Sequence, residues 1–239
     1  MFIEVSYSLD PDEIVMPGKI DKPKVIKRSR MIDQPAGDEG SMVRWGSYNN
    51  TSVIEYFAHT GTHIDVPFHA DPEGTRLHEF GLNDFIFDNT LLLEIPKKDK
   101  EKITVEELTP HKDRLSKCDI LLIYTGFSRI RKMEPERYVS QQPSFTIDAA
   151  NYLVDNFDIR CYGVDLIGIE NIPDGKVSTP TPFPIHKTFL LKKQQKSFVL
   201  EDLNLMPLLG KTVSRFFVIP LRIYGAEAMP VTVFAEVED

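Results

Sequence analysis

The apolar and polar positions along the chain change period several times, and those changes divide it into elements. Phe2 to Leu9 alternates well enough for a first strand, closed by Asp10-Pro11 and Pro17-Gly18. Residues 19–40 lose the alternation. They are polar and rich in base (Lys19, Lys22, Lys24, Lys27, Arg28, Arg30), which predicts a solvated hairpin or loop, with an anion-binding or subunit-clasping arm as the functional alternative. Met42 to Val66 favours extended chain: Val43, Trp45 and Ser47 alternate with Arg44 and Gly46, and Ser52 to Phe57 is strand-like. Asn89 to Ile95 reads as a buried strand stopped at Pro96.

Helical spacing appears in the centre. Thr104-Val105-Glu106-Glu107 forms a capping box, so a helix is expected to start there, limited by Pro110. Asp119 to Tyr124 is a continuous apolar strand. Ile147, Ala150, Leu153 and Val154 then recur at helical intervals across 146–157, and Arg160 to Val164 returns to strand. Pro184 to Leu191 predicts a short helix. Ser197 to Leu200, Phe216 to Ile223 and Pro230 to Val237 finish the chain as strands. Strand-rich ends around a βαβ-like centre predict an α/β fold, bordering on α+β, with a mixed sheet in one domain spanning 1–239.

Composition narrows the partners. The net charge of -8 opposes encounter with nucleic acid or an anionic membrane, so neither is an expected partner. The first residues carry Glu4, Asp10, Asp12 and Glu13 and do not read as a signal peptide, and the apolar runs are too short to span a bilayer. Cys118 and Cys161 form no CxxC and sit in apolar contexts, as buried thiols do. A soluble cytoplasmic protein is the expectation.

The concentrated chemistry lies in His59-Thr60-Gly61-Thr62-His63-Ile64-Asp65-Val66-Pro67-Phe68-His69. On an extended strand His59, His63, Asp65 and His69 would share one face, leaving Ile64, Val66 and Phe68 for a core. A straight strand would nonetheless hold His59 and His69 roughly 33 Å apart, whereas donors to one metal each lie about 2 Å from it. The segment is therefore expected to bend, at Gly61, which can adopt backbone angles closed to other residues, and at Pro67. Imidazole and carboxylate suit zinc and, less exclusively, manganese, iron or nickel. The bland alternative is a histidine-rich turn whose side chains only hydrogen-bond.

The same segment matches the HxGTHxDxPxH signature at every fixed position, and so resembles the cyclase family of metal-dependent hydrolases, which includes bacterial kynurenine formamidase and related amide-ring hydrolases. The similarity continues in Ile3 to Leu9 with Met16-Pro17-Gly18, in Leu121 to Phe127, in Tyr162-Gly163-Val164-Asp165, in Pro184-Ile185-His186 and in Val199 to Leu203. The resemblance implies a compact single-domain fold with a mixed, barrel-like β core and flanking helices, assembled as a homodimer or homotetramer. It implies that His59, His63 and Asp65 hold one divalent ion, and that Asp65, His186 and Glu201 hold or share a second. Zinc is the expected metal, with manganese as the alternative and one or two ions bound. His69 is implied as the catalytic acid/base. The implied activity is hydrolysis of a C–N bond in a small-molecule substrate, an N-formylkynurenine-like formamide first and an isatin-like lactam or a lactone next.

The chain departs from the family pattern in three places. The spacing from His186 to Glu201 is longer, through Lys192 to Lys196; Met16 and Tyr124 stand where the family often has an aromatic and an arginine; and Leu166 to Glu170 is more apolar. His78 and His111 lack a partner at ligand spacing and are expected at the surface. Asp165 ends a strand, where it would orient a ligand or cap a loop. No GxSxG, GxxxxGK or GxGxxG follows a strand. A rival from another class is a catalytically inactive metal-binding or assembly module. A metallophosphoesterase would want a basic clamp, for which Arg76 alone is thin support.

Overall fold

A run of apolar residues at every position of a strand is satisfied only where both faces are covered, and all five residues of Ile120–Tyr124 are buried. The computed structural model describes residues 1–12, 22–31, 34–36, 41–43, 48–191 and 196–238. The main sheet contains, in chain order, β1 (Phe2–Glu4), β2 (His63–Asp65), β3 (Ile86–Phe87), β4 (Thr90–Glu94), β5 (Ile120–Tyr124), β6 (Cys161–Val164), β7 (Phe198–Glu201), β8 (Val213–Pro220) and β9 (Ala228–Val237). Across the sheet the order is β3-β8-β9-β2-β7-β6-β5-β4, with β1 paired to the far half of β9. The neighbours β4, β5, β6 and β7 run parallel; β2 is antiparallel to both β7 and β9. Only Asp88 and Asn89 separate β3 from β4, the two ends of this path, so the sheet curls round until it nearly closes as a barrel. The mixed α/β expectation holds.

Strand alternation sorts the core into two parts. Leu121 and Ile123 join Tyr162, Val164 and Val199 beneath two crossover helices, α1 (Ile147–Asn156) and α2 (Pro184–Leu191). Ile120 and Leu122 point the other way, into the barrel with Ile64, Val66, Phe198, Phe216 and Met229. In α1 the expected Ala150, Leu153 and Val154 are buried, while Ile147 in the first turn is exposed. Thr146 caps this helix, its Oγ1 accepting the Ala149 N–H at 3.1 Å. The expected capping box is also present: Glu107 accepts the Thr104 N–H at 3.0 Å and starts a short helix, Val105–Leu108.

Some boundaries differ, for local reasons. The first strand stops at Glu4 because, two residues past Val5, the Tyr7 N–H turns to the side chain of Thr62 (2.9 Å) instead of continuing the ladder. The strand expected from Phe216 begins at Val213 and ends at Pro220. Of the hairpin or loop expected for the basic segment, part is antiparallel strand: Lys24–Met31 pairs with Tyr48–Glu55. Lys19, Pro17-Gly18, Trp45 and Ser47 lie outside the described residues. Among the described residues no helix is long and apolar enough to cross a membrane.

One glycine fixes the turn that carries His69. A Cβ on Gly74 would lie 2.5 Å from the carbonyl carbon of Pro67 and 2.6 Å from the nitrogen of Phe68. Both are backbone atoms, so neither can swing aside. Gly74→Ala is expected to destabilise the protein by about 1–3 kcal/mol, because the turn itself must shift. Thermal unfolding checks this, and an unchanged melting temperature would show that the loop absorbs the methyl group.

Candidate active site

Both expected bends are present. Gly61 takes a left-handed φ of 61°, and Pro67 opens a one-turn 3-10 helix, Pro67–His69. Folding the segment back on itself brings the His59 and His69 rings to 4.4 Å between centroids, and those of His59 and His63 to 5.1 Å. Between the bends lies β2, whose residues alternate as expected: Ile64 enters the barrel core while His63 and Asp65 face the site. The Nδ1 of His63 lies 2.8 Å from the Gly61 carbonyl, which as acceptor fixes the proton on that nitrogen and leaves the Nε2 lone pair for the site.

Sheet register delivers the distant residue. Glu201, the last residue of β7, is directly opposite His63 in the antiparallel pair, and its Oε2 lies 3.2 Å from His63 Nε2. Its Oε1 accepts the Ile169 N–H at 2.6 Å and lies 3.0 Å from His186 Nε2. His186 reaches the same place from the first turn of α2. Glu170 orients it: one carboxylate oxygen lies 3.3 Å from His186 Nδ1 and accepts the backbone N–H of Ile185 at 3.0 Å. A carboxylate behind an imidazole in this way fixes its tautomer and raises its basicity.

A second buried network holds the chain just after Glu201. Asp202 adopts a positive φ of 54°, unusual for a residue with a side chain. Arg131 grips its carboxylate with two hydrogen bonds, at 2.7 and 2.6 Å, and the Tyr138 hydroxyl donates a third at 2.9 Å. The Asp202 carbonyl accepts from Thr62 Oγ1 at 2.6 Å, tying β7 to the residue before His63.

The donor set fits a metal. His59, Asp65 and His69 each offer an atom within 4.8 Å of the others, and so do His63, Asp65 and Glu201. Donors about 2 Å from one ion must lie within roughly 4–5 Å of each other. Asp65 belongs to both groups, one carboxylate between two clusters; His186 joins neither and meets the site through Glu201. Most tellingly, His63 Nε2 and both oxygens of Asp65 are buried without a hydrogen bond. His59 Nδ1 stands 2.9 Å from Asp65 Oδ1, an ion-pair distance without hydrogen-bond geometry. Buried polar atoms left unpaired are costly, and lone pairs aimed at a common centre are what a cation requires.

Electrostatics without an ion show the same convergence. Burial disfavours a charged His59, but Asp65, with Glu227 and Glu201, outweighs it and raises the pKa to about 10. Burial is likewise overcome for His186, where Glu201 and Glu170 raise the pKa to about 10. Burial pushes the Glu201 carboxyl up, yet His186 and His63 hold it down at about 2. His69 goes the other way: burial on its inner side and the neighbouring His59 and His186 lower its pKa despite Asp65. Its ring sits at the open rim of the cavity.

The other expectations fall into place around this centre. Asp165 caps a loop: it accepts from Thr125 N–H (2.8 Å) and Oγ1 (2.7 Å), from Gly126 N–H (3.0 Å) and from Ser128 Oγ (2.9 Å). His78 accepts the Gly225 N–H at 3.2 Å and packs on Tyr224, away from the cluster. Both cysteines are buried and free. Glu170, Glu227 and the Arg131–Asp202 pair were not legible as site residues. Nothing in their local sequence marks them: Glu170 is followed by Asn171, and Asp202 is preceded by Glu201. Above the donors opens a cavity of about 360 Å³ walled by Phe57, Ile167, Ile172, Pro182 and Phe183. That size and lining suit a small, largely apolar ligand.

Fold and site together define a cavity-bearing mixed β-barrel with a metal-type donor cluster at its rim. The chain belongs to the Cyclase family, which it matches over residues 3–171. It is 36% identical over 148 residues to the kynurenine formamidase of Geobacillus thermodenitrificans, covering 60% of this chain and 63% of that one. The match thus spans less than two thirds of the formamidase. It is also 33% identical over 121 residues to an uncharacterised protein of Haemophilus influenzae, covering 48% of this chain and 85% of that one. Among solved structures, isatin hydrolase A from Labrenzia aggregata bound to benzyl benzoate superposes with a TM-score of 0.71 at 21% identity, covering 100% of this chain and 94% of that one. At that identity the superposition shows a common fold.

Near pH 7 the metal-free His59 carries a proton, since its pKa is raised to about 10. An imidazole must lose that proton to ligate, so uptake of a divalent ion, with zinc as the probe, is expected to release protons and its affinity to climb by about tenfold per proton for each pH unit below that range. Calorimetry in two buffers of different ionisation enthalpy measures the number released; a value of zero would contradict the ligand set. Glu170→Gln, which keeps the shape but removes the charge behind His186, is expected to weaken zinc binding by about tenfold or more. A chelator competition titration checks this, and unaltered affinity would remove Glu170 from the site.

Proposed function

We propose that this protein is a metal-dependent hydrolase that cleaves the C–N bond of a small aromatic amide, with a formamide as the leading substrate class. The observation that carries the proposal is the unpaired, buried donor set of His63 and Asp65 beside a histidine with a lowered pKa, on the floor of an apolar cavity. Family membership and the similarity to a kynurenine formamidase support it.

In this reading His59, His63, Asp65 and Glu201 would hold one or two divalent ions, zinc first and manganese as the alternative, with His186, the fifth expected ligand, placed against Glu201. An ion held there would supply Lewis acidity, lowering the pKa of water so that hydroxide is available near neutral pH and polarising the substrate carbonyl. The chain supplies the rest. Glu170 and Glu201 hold His186, and the Gly61 carbonyl holds His63, so that donor nitrogens face the centre without reorganising. Phe57 and Phe183 offer flat apolar walls for an aromatic body and exclude water from it. His69, neutral near pH 7 because its pKa is lowered, accepts a proton as water attacks and returns it to the leaving nitrogen. Its place at the rim lets it reach both partners.

The cyclic alternative, an isatin-like lactam, has the support of the shared fold with isatin hydrolase A. It needs the same proton transfer, but the leaving nitrogen stays tethered to the product. His69→Ala is expected to leave zinc content unchanged and to lower kcat by about 100-fold or more, the usual contribution of a general acid/base. Elemental analysis with turnover of formanilides, lactams and lactones makes the test. Loss of zinc in the variant would make His69 a ligand, and retained turnover would remove it from the chemistry. A wild-type protein that binds zinc but turns over nothing in the panel would favour the inactive binding module.

A further inference from the structure

The proposed reaction leaves one charged side chain of the cavity without a task. Lys187 follows His186 on α2 and is the only lysine or arginine lining the cavity among the described residues. Its backbone N–H bonds to the Phe183 carbonyl at 3.2 Å, so the start of the helix fixes the root of the side chain. Lys97 pairs with Glu107, and Lys100 and Lys102 lie near Asp174. Among the described residues Lys187 forms no ion pair.

Charge and polarity then constrain the occupant. The carboxylates on the cavity floor, Asp65 and Glu201, are matched by histidines and by the ion they would hold, so they do not call for a lysine. The wall beside Lys187 is apolar, formed by Pro182 and Phe183. A neutral apolar ligand filling that space would strip water from the ammonium group and return nothing. A ligand with an anionic group at that end would gain a charge-assisted hydrogen bond in a place of reduced dielectric.

We propose that Lys187 is a specificity determinant that selects amides whose apolar body carries an anionic group, of the carboxylate class, at the end away from the scissile C–N bond. This rests on the hydrolase reading above. It separates carboxylate-bearing arylamides from neutral lactams, which the metal centre alone does not.

The test compares formanilide with its ortho-, meta- and para-carboxylates in the zinc-loaded protein. The wild type is expected to prefer at least one carboxylate by about tenfold or more in kcat/KM, mainly through KM, as for a hydrogen bond to a charged group. Lys187→Met should bring that ratio close to one, Lys187→Arg should keep most of it, and added salt should erode it in the wild type. A wild type without preference, or a preference that survives in Lys187→Met, overturns the proposal. Calorimetric binding of the aminobenzoates against aniline gives a readout that needs no turnover. Lys187-dependent binding without any amide hydrolysis would sink the hydrolase reading and leave the anion site standing. Hydrolysis with no charge preference would do the reverse.

Discussion

Asp65 is completely buried, carries a charge, and has neither oxygen in a hydrogen bond. A lone carboxylate in such a place would normally be neutralised by protonation or excluded by the cost of desolvation. Here the surrounding histidines hold its pKa below the ordinary carboxylate range against the opposing effect of burial. Much of the architecture is arranged around this one group. The strand that bears it is central in the sheet, flanked on both sides by antiparallel partners, so its position is set by two ladders rather than one.

That double pairing explains how residues far apart in sequence reach one point. Register across β2 and β7 sets Glu201 against His63, and α2, the crossover leading into β7, adds His186. The Arg131–Asp202–Tyr138 network holds the reversal after Glu201 and is anchored through Thr62 to β2 itself. Breaking one partner of such a buried pair leaves an uncompensated charge, so the network ties the stability of the fold to the geometry of the site. His69 is exposed where the apolar cavity opens.

Periodicity in the sequence revealed most of the elements, because each buried strand and helix writes its own spacing. Leu121 and Ile123 alternate with Ile120 and Leu122, and Ala150, Leu153 and Val154 keep one helix face. Periodicity did not reveal the near-closed barrel, since that depends on which strands pair: β3 and β4 are chain neighbours yet lie at opposite ends of the sheet path. The histidine segment was legible because its donors fall within eleven residues and its bends are marked by Gly61 and Pro67. His186 and Glu201 entered only through family resemblance, as each alone looks like an ordinary helix or strand-end residue. Glu170, Glu227 and Asp202 were not legible at all. The burial of Glu170 and Asp202 is created by contacts from other elements, and nothing in their local sequence encodes it.

The unpaired atoms of Asp65 and His63 are the proposed metal ligands. Anomalous diffraction at the zinc edge, from crystals grown with zinc, tests that assignment most directly. An anomalous peak is expected within bonding distance of an Asp65 carboxylate oxygen, with His63 and Glu201 on one side and His59 on the other. A map without a peak there, with Asp65 remaining paired to a protonated His59, would contradict it.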